Sequence, residues 1–373
     1  MKILLVVTKG GAGGAQVFVA DLARSLYERG HEVVVAAGAG DFLSAELRRR
    51  HIPFECLASF SRKIGLRSMF RFALEIRRLA DHCRPDVIHF NSSHTLLGAR
   101  FIKRHFGRPK LLFTMHGLSV LDPNYEQSAV KKFLFRLFFK FFLRHLDRVV
   151  YICRRNAADG LYLTKIAARL IYNGIDSGSG FSDRQAAHRE ISRLAGRDLD
   201  GRFIMASIGR LAYQKNYEFL IKNWPAVLRI NPASCLVIFG QGEKREKLTA
   251  LIKKYHLEED VFIVDLAPAS PYLAGADFYL QPSRFEGLPY SIFEAMRAGL
   301  PILAADVGGV KEILVDPCQV YEPNNERMFL DKLRSALSKK EESAEVIKEN
   351  HRRLKSFSLD KMAEEYLDEY QKL

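Results

Sequence analysis

Short runs of apolar residues alternate along the chain with longer stretches whose apolar positions recur at helical spacing. Apolar runs bounded by helical patterns are typical of strands that are buried on both faces of a parallel sheet. The runs form two series, so the pattern predicts an α/β protein with two doubly wound, Rossmann-like units. The predicted strands are Lys2–Val7, Val33–Ala37, Asp86–Phe90, Leu111–Thr114 and Arg148–Ile152, then Phe203–Ile208, Leu236–Phe239, Val261–Val264, Phe278–Leu280, Pro301–Ala304 and Gln319–Tyr321.

A cluster of turn formers from Asn173 to Gly180 separates the two series and predicts a linker. We therefore expect an N-terminal domain over residues 1–172 and a C-terminal domain over residues 173–359, with a last helix near 360–373 packing back on the first domain. Because ligands of doubly wound sheets bind beyond the carboxyl ends of the strands, we expect a ligand in a central cleft that both domains face.

Composition supports two cores and indicates the kind of partner. The chain has 373 residues and is too long for one ordinary core. Its residues are 48% hydrophobic and 11% aromatic, and this composition excludes a disordered protein. Residues 1–170 hold 29 Lys and Arg against 13 Asp and Glu, whereas the remainder is nearly balanced. This one-sided charge favours a polyanionic partner: nucleic acid, an acidic membrane surface or a phosphorylated substrate.

The sequence predicts no membrane-spanning helix. No stretch without Lys, Arg, Asp and Glu exceeds 13 residues, against about 20 needed to span a bilayer. The first residues predict a buried strand and not a signal peptide, so we expect a cytoplasmic protein. Five cysteines are scattered singly, which predicts reduced core residues and neither a zinc site nor disulfides. They are Cys56, Cys83, Cys153, Cys235 and Cys318.

A glycine-rich loop follows the first predicted strand and precedes a helical pattern over Val17–Tyr27. Such a loop presents backbone amides, here including those of Gly13 and Gly14, to an anion. The loop lacks the third glycine of the dinucleotide fingerprint, because Gln16 stands at that position. A tight turn without a ligand therefore stays open as an alternative.

Two loops in the second half carry candidate phosphate ligands. Arg210 and Lys215 follow the strand Phe203–Ile208. Arginine can form bidentate hydrogen bonds with phosphate oxygens, and lysine adds a point charge. The alternative is that both are solvated surface cations without a ligand. A glycine turn that begins at Gly240 ends the next strand at the same predicted sheet edge.

The strongest signal is the sequence PSRFEGLPYSIFEAM at residues 282–296. Pro289 predicts the start of a helix whose unpaired amides and positive dipole end face a ligand. Glu286 precedes the helix, and Glu294 lies about five residues into it, roughly 7 Å along the axis. The two carboxylates can therefore contact different parts of one extended ligand, with a solvated helix glutamate as the alternative for Glu294.

These motifs, in this order and spacing, resemble those of the retaining family-four glycosyltransferases with the GT-B fold, over nearly the whole chain. The resemblance implies a metal-independent enzyme that needs no cofactor. Its expected reaction is transfer of a hexose from a nucleotide sugar, expected to be a UDP-sugar, to a glycan or lipid-linked acceptor with retention of configuration. The expected setting is bacterial-type synthesis of cell-surface polysaccharide or glycolipid.

The resemblance also implies residue roles. Arg210 and Lys215 hold the donor diphosphate, Glu286 contacts the donor sugar and Glu294 contacts the ribose. His116 stands where the family has a histidine beside the donor sugar, with a structural histidine as the alternative. Glu286, Arg210, Lys215 and His116 form the expected catalytic set. The rest of the donor pocket is expected from Gly13, Gly14 and Gly240 and from the backbone of Gly287, Leu288, Pro289, Tyr290, Ser291 and Ile292.

One position departs from the family pattern. Asp265 stands where the family has a glycine, which leaves the nucleobase contact open.

A basic aromatic stretch, residues 131–145, interleaves six phenylalanines with Lys and Arg. At 100° per residue its cations recur every fourth position and form one stripe: Lys132, Arg136, Lys140 and Arg144. The stripe predicts a helix at an anionic membrane surface on the acceptor side, on the inner face of the cell membrane. The alternative is an ordinary core helix with one solvent-exposed side and no membrane contact. A second basic segment runs through Arg62, Lys63, Arg67, Arg71, Arg77 and Arg78.

Three other functions stay open from the residues alone. A sugar-nucleotide epimerase of GT-B architecture and a nicotinamide-dependent dehydrogenase are the enzymatic alternatives, although the dehydrogenase lacks a complete glycine fingerprint. A nucleic-acid or lipid binder would explain the charge but not one cleft that holds Glu286, Glu294, Arg210 and Lys215. We therefore expect a nucleotide-sugar donor and no nucleic-acid partner.

Overall fold

A computed structural model describes residues 1–59, 66–102, 109–122, 124–176, 183–265, 268–314 and 316–373. The chain divides into two compact units, the first formed by Met1–Gly174 with Phe357–Leu373 and the second by Ile175–Ser356. The sequence placed these boundaries after residues 172 and 359. The second half of the predicted linker, residues 177–180, lies outside the described residues.

Each unit contains a parallel sheet. Within the described ranges the sheet of the first unit has the order β3-β2-β1-β4-β5-β6-β7 and that of the second has the order β10-β9-β8-β11-β12-β13. The strands are Lys2–Val7 (β1), Glu32–Ala37 (β2), Phe54–Cys56 (β3), Val87–Phe90 (β4), Lys110–Met115 (β5), Arg148–Tyr151 (β6), Ala168–Leu170 (β7), Phe203–Ile208 (β8), Ser234–Phe239 (β9), Val261–Val264 (β10), Phe278–Gln281 (β11), Ile302–Ala305 (β12) and Val320–Tyr321 (β13).

Helices connect the strands of both sheets. They are Gly14–Glu28 (α1), Asp41–Arg48 (α2), Leu66–Cys83 (α3), Leu96–Ala99 (α4), Ala129–Leu143 (α5), Arg154–Gly160 (α6), Arg184–Ala195 (α7), Tyr217–Ile230 (α8), Arg245–Lys254 (α9), Tyr290–Arg297 (α10), Val310–Ile313 (α11), Glu326–Ser338 (α12), Lys340–Leu354 (α13) and Leu359–Lys372 (α14). Although α14 follows the second unit in the chain, it belongs to the first.

The core explains why the central strands are continuous apolar runs. Residues 3–7 of β1 have no solvent exposure, and all six residues of β9 are buried, because helices cover both faces of each sheet. In register, Leu4 lies between Val34 of β2 and Ile88 of β4. Strands with alternating apolar and polar residues would place a polar face inside the protein. A sheet that is covered on both faces therefore requires continuous apolar runs.

All eleven predicted strands are present, with ends displaced by at most two residues. The two strands that the sequence did not predict, β3 and β7, are edge strands of three residues, largely exposed. Short exposed strands bury little apolar surface and so leave little hydrophobic pattern. The cysteine prediction is partly wrong. Cys153 and Cys235 are buried and Cys83 is half-buried, but Cys56 and Cys318 are exposed; all five are free thiols.

Candidate active site

Loops at the carboxyl ends of β8, β9, β11 and β12 meet in the second unit. A Cβ atom on Gly240 would lie 2.0 Å from the carbonyl oxygen of Gly209, so only glycine allows the first two loops to approach this closely. Gly308, with φ of 53°, lies against the backbone of Glu286, and the amide of Gly309 donates to the carbonyl of Gly287 at 2.7 Å. The loop after β12 therefore supports the loop that carries Glu286.

Glu286 lies at the centre of a buried polar cluster. Its Oε1 atom accepts hydrogen bonds from Lys215 Nζ and Ser283 Oγ, both at 2.7 Å. Its Oε2 atom accepts from Gln214 Nε2 at 3.0 Å. The side chains of Glu286 and Lys215 are 7% and 16% exposed. Three donors thus fix the carboxylate and the cation in one orientation, close to the surface and shielded from most solvent.

The sequence predicted Lys215 and Glu286 but not the other two members of this cluster. Gln214 lies in the loop after β8 and Ser283 three residues before Glu286. Neither residue type is unusual in a loop. Their role depends on β8 and β11 being neighbours in the sheet, which no local spacing indicates.

Arg210 lies in the same loop but in a different environment. Its guanidinium forms an ion pair with Glu243 at 2.8 Å, and the two side chains are 67% and 56% exposed. Exposed ion pairs contribute only about 0–1 kcal/mol. Arg210 can therefore exchange Glu243 for an anionic ligand at little cost.

The predicted helix begins one residue later than expected, with α10 starting at Tyr290. Glu294 is its fifth residue and is half-buried. Burial raises the pKa of the nearby Tyr279 hydroxyl well above its usual value, and the charge of Glu294 acts in the same direction. The amide of Ile292 donates to the carbonyl of Pro289 at 3.2 Å at the start of this helix.

The candidate residues of the first unit lie at the carboxyl ends of β1, β4 and β5. His116 follows β5, and its Nε2 atom lies 3.2 Å from the side-chain oxygen of Asn91. The ring of Phe18 packs edge-on against the imidazole at a centroid distance of 4.6 Å. His116 keeps some accessible surface, but the surrounding protein encloses most of the ring, and burial lowers its pKa to about 3. The imidazole is therefore neutral near pH 7.

The glycine loop of the first unit also has the predicted form. Gly13 precedes α1, which begins at Gly14, and both glycines are exposed. The side-chain amide of Gln16 donates to the carbonyl of Lys9 at 3.0 Å, which closes the loop. Gln16 thus stabilises the turn at the position where a dinucleotide fingerprint has its third glycine.

Comparison with known proteins places this geometry in a family. Residues 12–178 match the model of Glycosyltransferase Family 4, and residues 189–354 match the model of Glycosyl transferases group 1. The fold is similar to that of HepE from Anabaena, whose crystal structure contains UDP-glucose, with a TM-score of 0.83, 20% identity and full coverage of both chains. The chain belongs to the GT-B glycosyltransferases.

Two curated relatives of this GT-B chain come from Escherichia coli. The O-antigen biosynthesis glycosyltransferase WclY is 23% identical over 60% of this chain, and the match spans 61% of WclY. The UDP-Gal:alpha-D-GlcNAc-diphosphoundecaprenol alpha-1,3-galactosyltransferase is 25% identical over 72% of this chain and 69% of its own length.

The basic aromatic helix of this GT-B chain is α5. Phe139 and Leu143 are buried and hold it on the core. Its outer surface carries an apolar stripe at the spacing i, i+4, i+7 and i+11, which we call the α5 face: Val130, Leu134, Leu137 and Phe141, with exposures of 68, 57, 48 and 40%. The sequence had predicted phenylalanine and leucine residues elsewhere on the helix but not which of them are exposed.

Cations flank the α5 face on one side. Arg136, Lys140 and Arg144 are exposed, and the guanidinium of Arg144 lies 4.2 Å from the ring centroid of Phe141. Lys132 differs from the prediction because it is half-buried and its Nζ donates to the carbonyl of Asp122 at 3.3 Å. In the second basic segment, Arg62 and Lys63 lie outside the described residues, as does the side chain of Arg67; Arg71 is exposed.

The described residues contain neither a membrane-spanning helix nor a cluster of metal ligands. No helix among them is long and apolar enough to cross a membrane. Likewise, these parts of the chain contain no group of three or more His, Cys, Asp or Glu arranged to hold a metal ion.

Proposed function

We propose that this protein transfers a hexose from a UDP-sugar to a glycan or lipid-linked acceptor, with retention of anomeric configuration. The observation that carries the proposal is the shielded pair of Lys215 and Glu286 at 2.7 Å, with Arg210 in the same loop. A cation pair of this kind suits a diphosphate, and a fixed carboxylate suits sugar hydroxyls. The names of the relatives support the proposed UDP-sugar donor and the proposed role in polysaccharide synthesis, because they include UDP-Gal and O-antigen biosynthesis.

In the proposed reaction, the bond between the anomeric carbon and the diphosphate oxygen breaks, and a bond to the acceptor oxygen forms on the same face. The acceptor proton goes to the leaving diphosphate. Arg210 and Lys215 neutralise the charge that develops on the diphosphate, Glu286 orients the sugar and Glu294 holds the ribose. We assign no protein nucleophile, and neutral His116 acts as a polar contact to the donor sugar.

We further propose that this charge neutralisation needs no metal, since two cations and the loop amides supply positive charge. Transfer should then continue after treatment with EDTA. Activity that EDTA abolishes and Mg²⁺ or Mn²⁺ restores would contradict this.

Binding measurements can distinguish the proposed roles of Glu286 at the sugar and Glu294 at the ribose. Glu286→Gln should weaken binding of a UDP-sugar more than binding of UDP, because the lost charge contacts the sugar. Glu294→Gln should weaken binding of both ligands, because both contain the ribose. Isothermal titration calorimetry with UDP and with UDP-glucose measures the two profiles. Glu258→Gln, at an exposed position of the second unit, is the control, and identical losses for Glu286→Gln and Glu294→Gln would remove the assignment.

We also propose that the first unit binds an anionic membrane surface, where a lipid-linked acceptor would lie. The α5 face supplies four exposed apolar side chains, and Arg136, Lys140 and Arg144 supply charge beside them. A helix with apolar and cationic surfaces side by side fits the boundary between acyl chains and anionic headgroups. Each cation near such a surface contributes about 1 kcal/mol before salt screening.

Vesicle co-sedimentation tests this surface. Leu134→Ser/Phe141→Ser should lower binding to phosphatidylglycerol vesicles at low and high salt, whereas replacement of Lys132, Arg136, Lys140 and Arg144 by Ser should lower it mainly at low salt. Tyr27→Ser removes an exposed ring of α1 and is the control. Equal binding of the wild type to neutral and anionic vesicles, or binding to neither, would contradict the proposal and favour a soluble acceptor.

A further inference from the structure

Two buried aromatic rings, those of Phe18 and Tyr366, stand in a row behind His116. Phe18 of α1 has no solvent exposure and touches the imidazole of His116 edge-on. On its other side Phe18 packs against Tyr366 of α14 at 5.4 Å, also edge-on. The position of the His116 ring is therefore set by a residue that itself rests on the C-terminal helix.

The hydroxyl of Tyr366 joins a buried network of hydrogen bonds. Its hydroxyl lies 2.8 Å from Thr114 Oγ1 on β5, and Thr114 Oγ1 lies 2.7 Å from His89 Nε2 on β4. The other nitrogen of His89 lies 2.7 Å from the hydroxyl of Tyr370, one turn further along α14. Burial lowers the pKa of His89 well below its usual value, so a neutral imidazole donates at one nitrogen and accepts at the other.

Ion pairs connect both ends of α14 to other elements of the first unit. Asp360 in its first turn lies 2.8 Å from Arg29, and the carboxylate of Glu369, only 2% exposed, lies 3.0 Å from Arg148 and 2.9 Å from Arg169. Buried carboxylates with two cationic partners resist displacement, because moving them would leave uncompensated charge. Glu369 thus anchors α14 three residues beyond Tyr366, whereas the exposed pair of Asp360 contributes little.

A second contact determines which nitrogen of His116 carries the proton. Asn91 donates through its side-chain amide to the carbonyl of His89 at 3.0 Å, which aims its oxygen at His116 Nε2. A neutral imidazole facing an amide oxygen carries its proton on that nitrogen. The Nδ1 atom of His116 is then a hydrogen-bond acceptor.

We propose that Tyr366 is a positioning residue: through Phe18 it holds the His116 ring in place, while Asn91 keeps the proton on Nε2, so that Nδ1 accepts a hydrogen bond from a hydroxyl of the donor sugar. The catalytic part of this inference rests on the proposed function, because it assumes sugar transfer at His116. The structural part, the control of His116 by α14, does not.

Paired variants of the full-length protein separate packing from hydrogen bonding. Tyr366→Leu removes the ring that supports Phe18, and Tyr366→Phe keeps it and removes only the hydroxyl. We expect Tyr366→Leu to lower kcat roughly tenfold to hundredfold with little change in the donor KM, since a small misplacement costs about this much. Tyr366→Phe should retain most of the activity. Leu22→Val shortens another buried residue of α1 and is the control for general loss of packing.

The second readout is the imidazole NMR signal of His116, assigned with His116→Gln. In the wild type it should show the neutral Nε2–H tautomer, and in Tyr366→Leu it should shift while Leu22→Val and Tyr366→Phe leave it close to the wild type. An unchanged signal in Tyr366→Leu would overturn the proposal, whatever happens to kcat. A shifted signal with unchanged kcat would overturn the catalytic part. If no sugar transfer is found in the wild type, the proposed function fails, and the NMR shift alone still decides whether α14 positions His116.

Discussion

Lys215→Ala is expected to lower kcat for a UDP-sugar donor by roughly 100- to 1,000-fold, because it removes one of the charges that stabilise the leaving diphosphate. Arg210→Ala should cause a loss of similar kind. The two variants should differ in stability. Lys215 and Glu286 are 16% and 7% exposed, whereas Arg210 and Glu243 are 67% and 56% exposed.

The burial of the Lys215–Glu286 pair sets the expected change in the free energy of unfolding. Removing one partner of a buried pair costs about 3–5 kcal/mol, because the other charge stays uncompensated, whereas an exposed pair contributes about 0–1 kcal/mol. Since Lys215 retains some exposure, we expect a loss of roughly 3 kcal/mol for Lys215→Ala and under about 1 kcal/mol for Arg210→Ala.

A double variant separates folding from catalysis. Lys215→Met/Glu286→Gln leaves no uncompensated charge, so it should recover most of the stability lost in Lys215→Ala but none of the turnover. Urea denaturation of the second unit and initial-rate kinetics are the two measurements. Near wild-type turnover in either single variant would remove the donor-site assignment, and equal loss of stability in both would contradict the difference in burial.

Acid should destabilise the first unit through His116. Burial lowers the pKa of His116 to about 3, whereas an unfolded histidine titrates near 6.5. The unfolded chain therefore binds a proton that the folded chain does not between these values. The stabilisation is complete above pH 6.5 and declines as the pH falls toward 3, which from pH 7.5 to 4.5 amounts to about 2.7 kcal/mol for this one group. His89, whose pKa burial also lowers, acts in the same direction.

The comparison of variants isolates this contribution from that of the carboxylates. Urea denaturation of the wild type and of His116→Asn should show a stability difference that shrinks between pH 7.5 and pH 4.5, because the variant has no proton to bind there. His82→Gln, at an exposed position of α3, is the control and should follow the wild type at both pH values. A wild-type curve that keeps a constant offset from His116→Asn would show that His116 is not held neutral in the folded protein.

Helix α5 is present as predicted, but Lys132 is not part of its exposed cationic surface. The spacing of Lys132, Arg136, Lys140 and Arg144 predicted one cationic stripe, and the helix itself is present. The structure adds the exposed apolar α5 face beside the stripe and turns Lys132 toward Asp122. Periodicity gives the angular position of each residue around a helix, but only the neighbouring elements decide which angle faces the core.

Most strands and the motif at residues 282–296 are visible in the order of amino acids. Apolar runs predicted eleven strands, because a strand buried on both faces needs apolar residues at every position, and Pro289 marked the start of α10 within one residue. The motifs also made Lys215 and Glu286 candidate site residues, and the two side chains lie 2.7 Å apart. The strands and motifs depend on residues that are close in the chain, so they can be predicted without knowledge of the fold.

Which residues come into contact depends on the fold. The bond from Gln214 to Glu286 joins positions 72 apart, and that from Thr114 to Tyr366 joins positions 252 apart. The first depends on β11 lying beside β8, and the second on the chain returning to the first unit after Ser356. The packing of helices against sheets sets the strand order and the return of α14 to the first unit. The spacing of residues along the sequence does not reveal either feature.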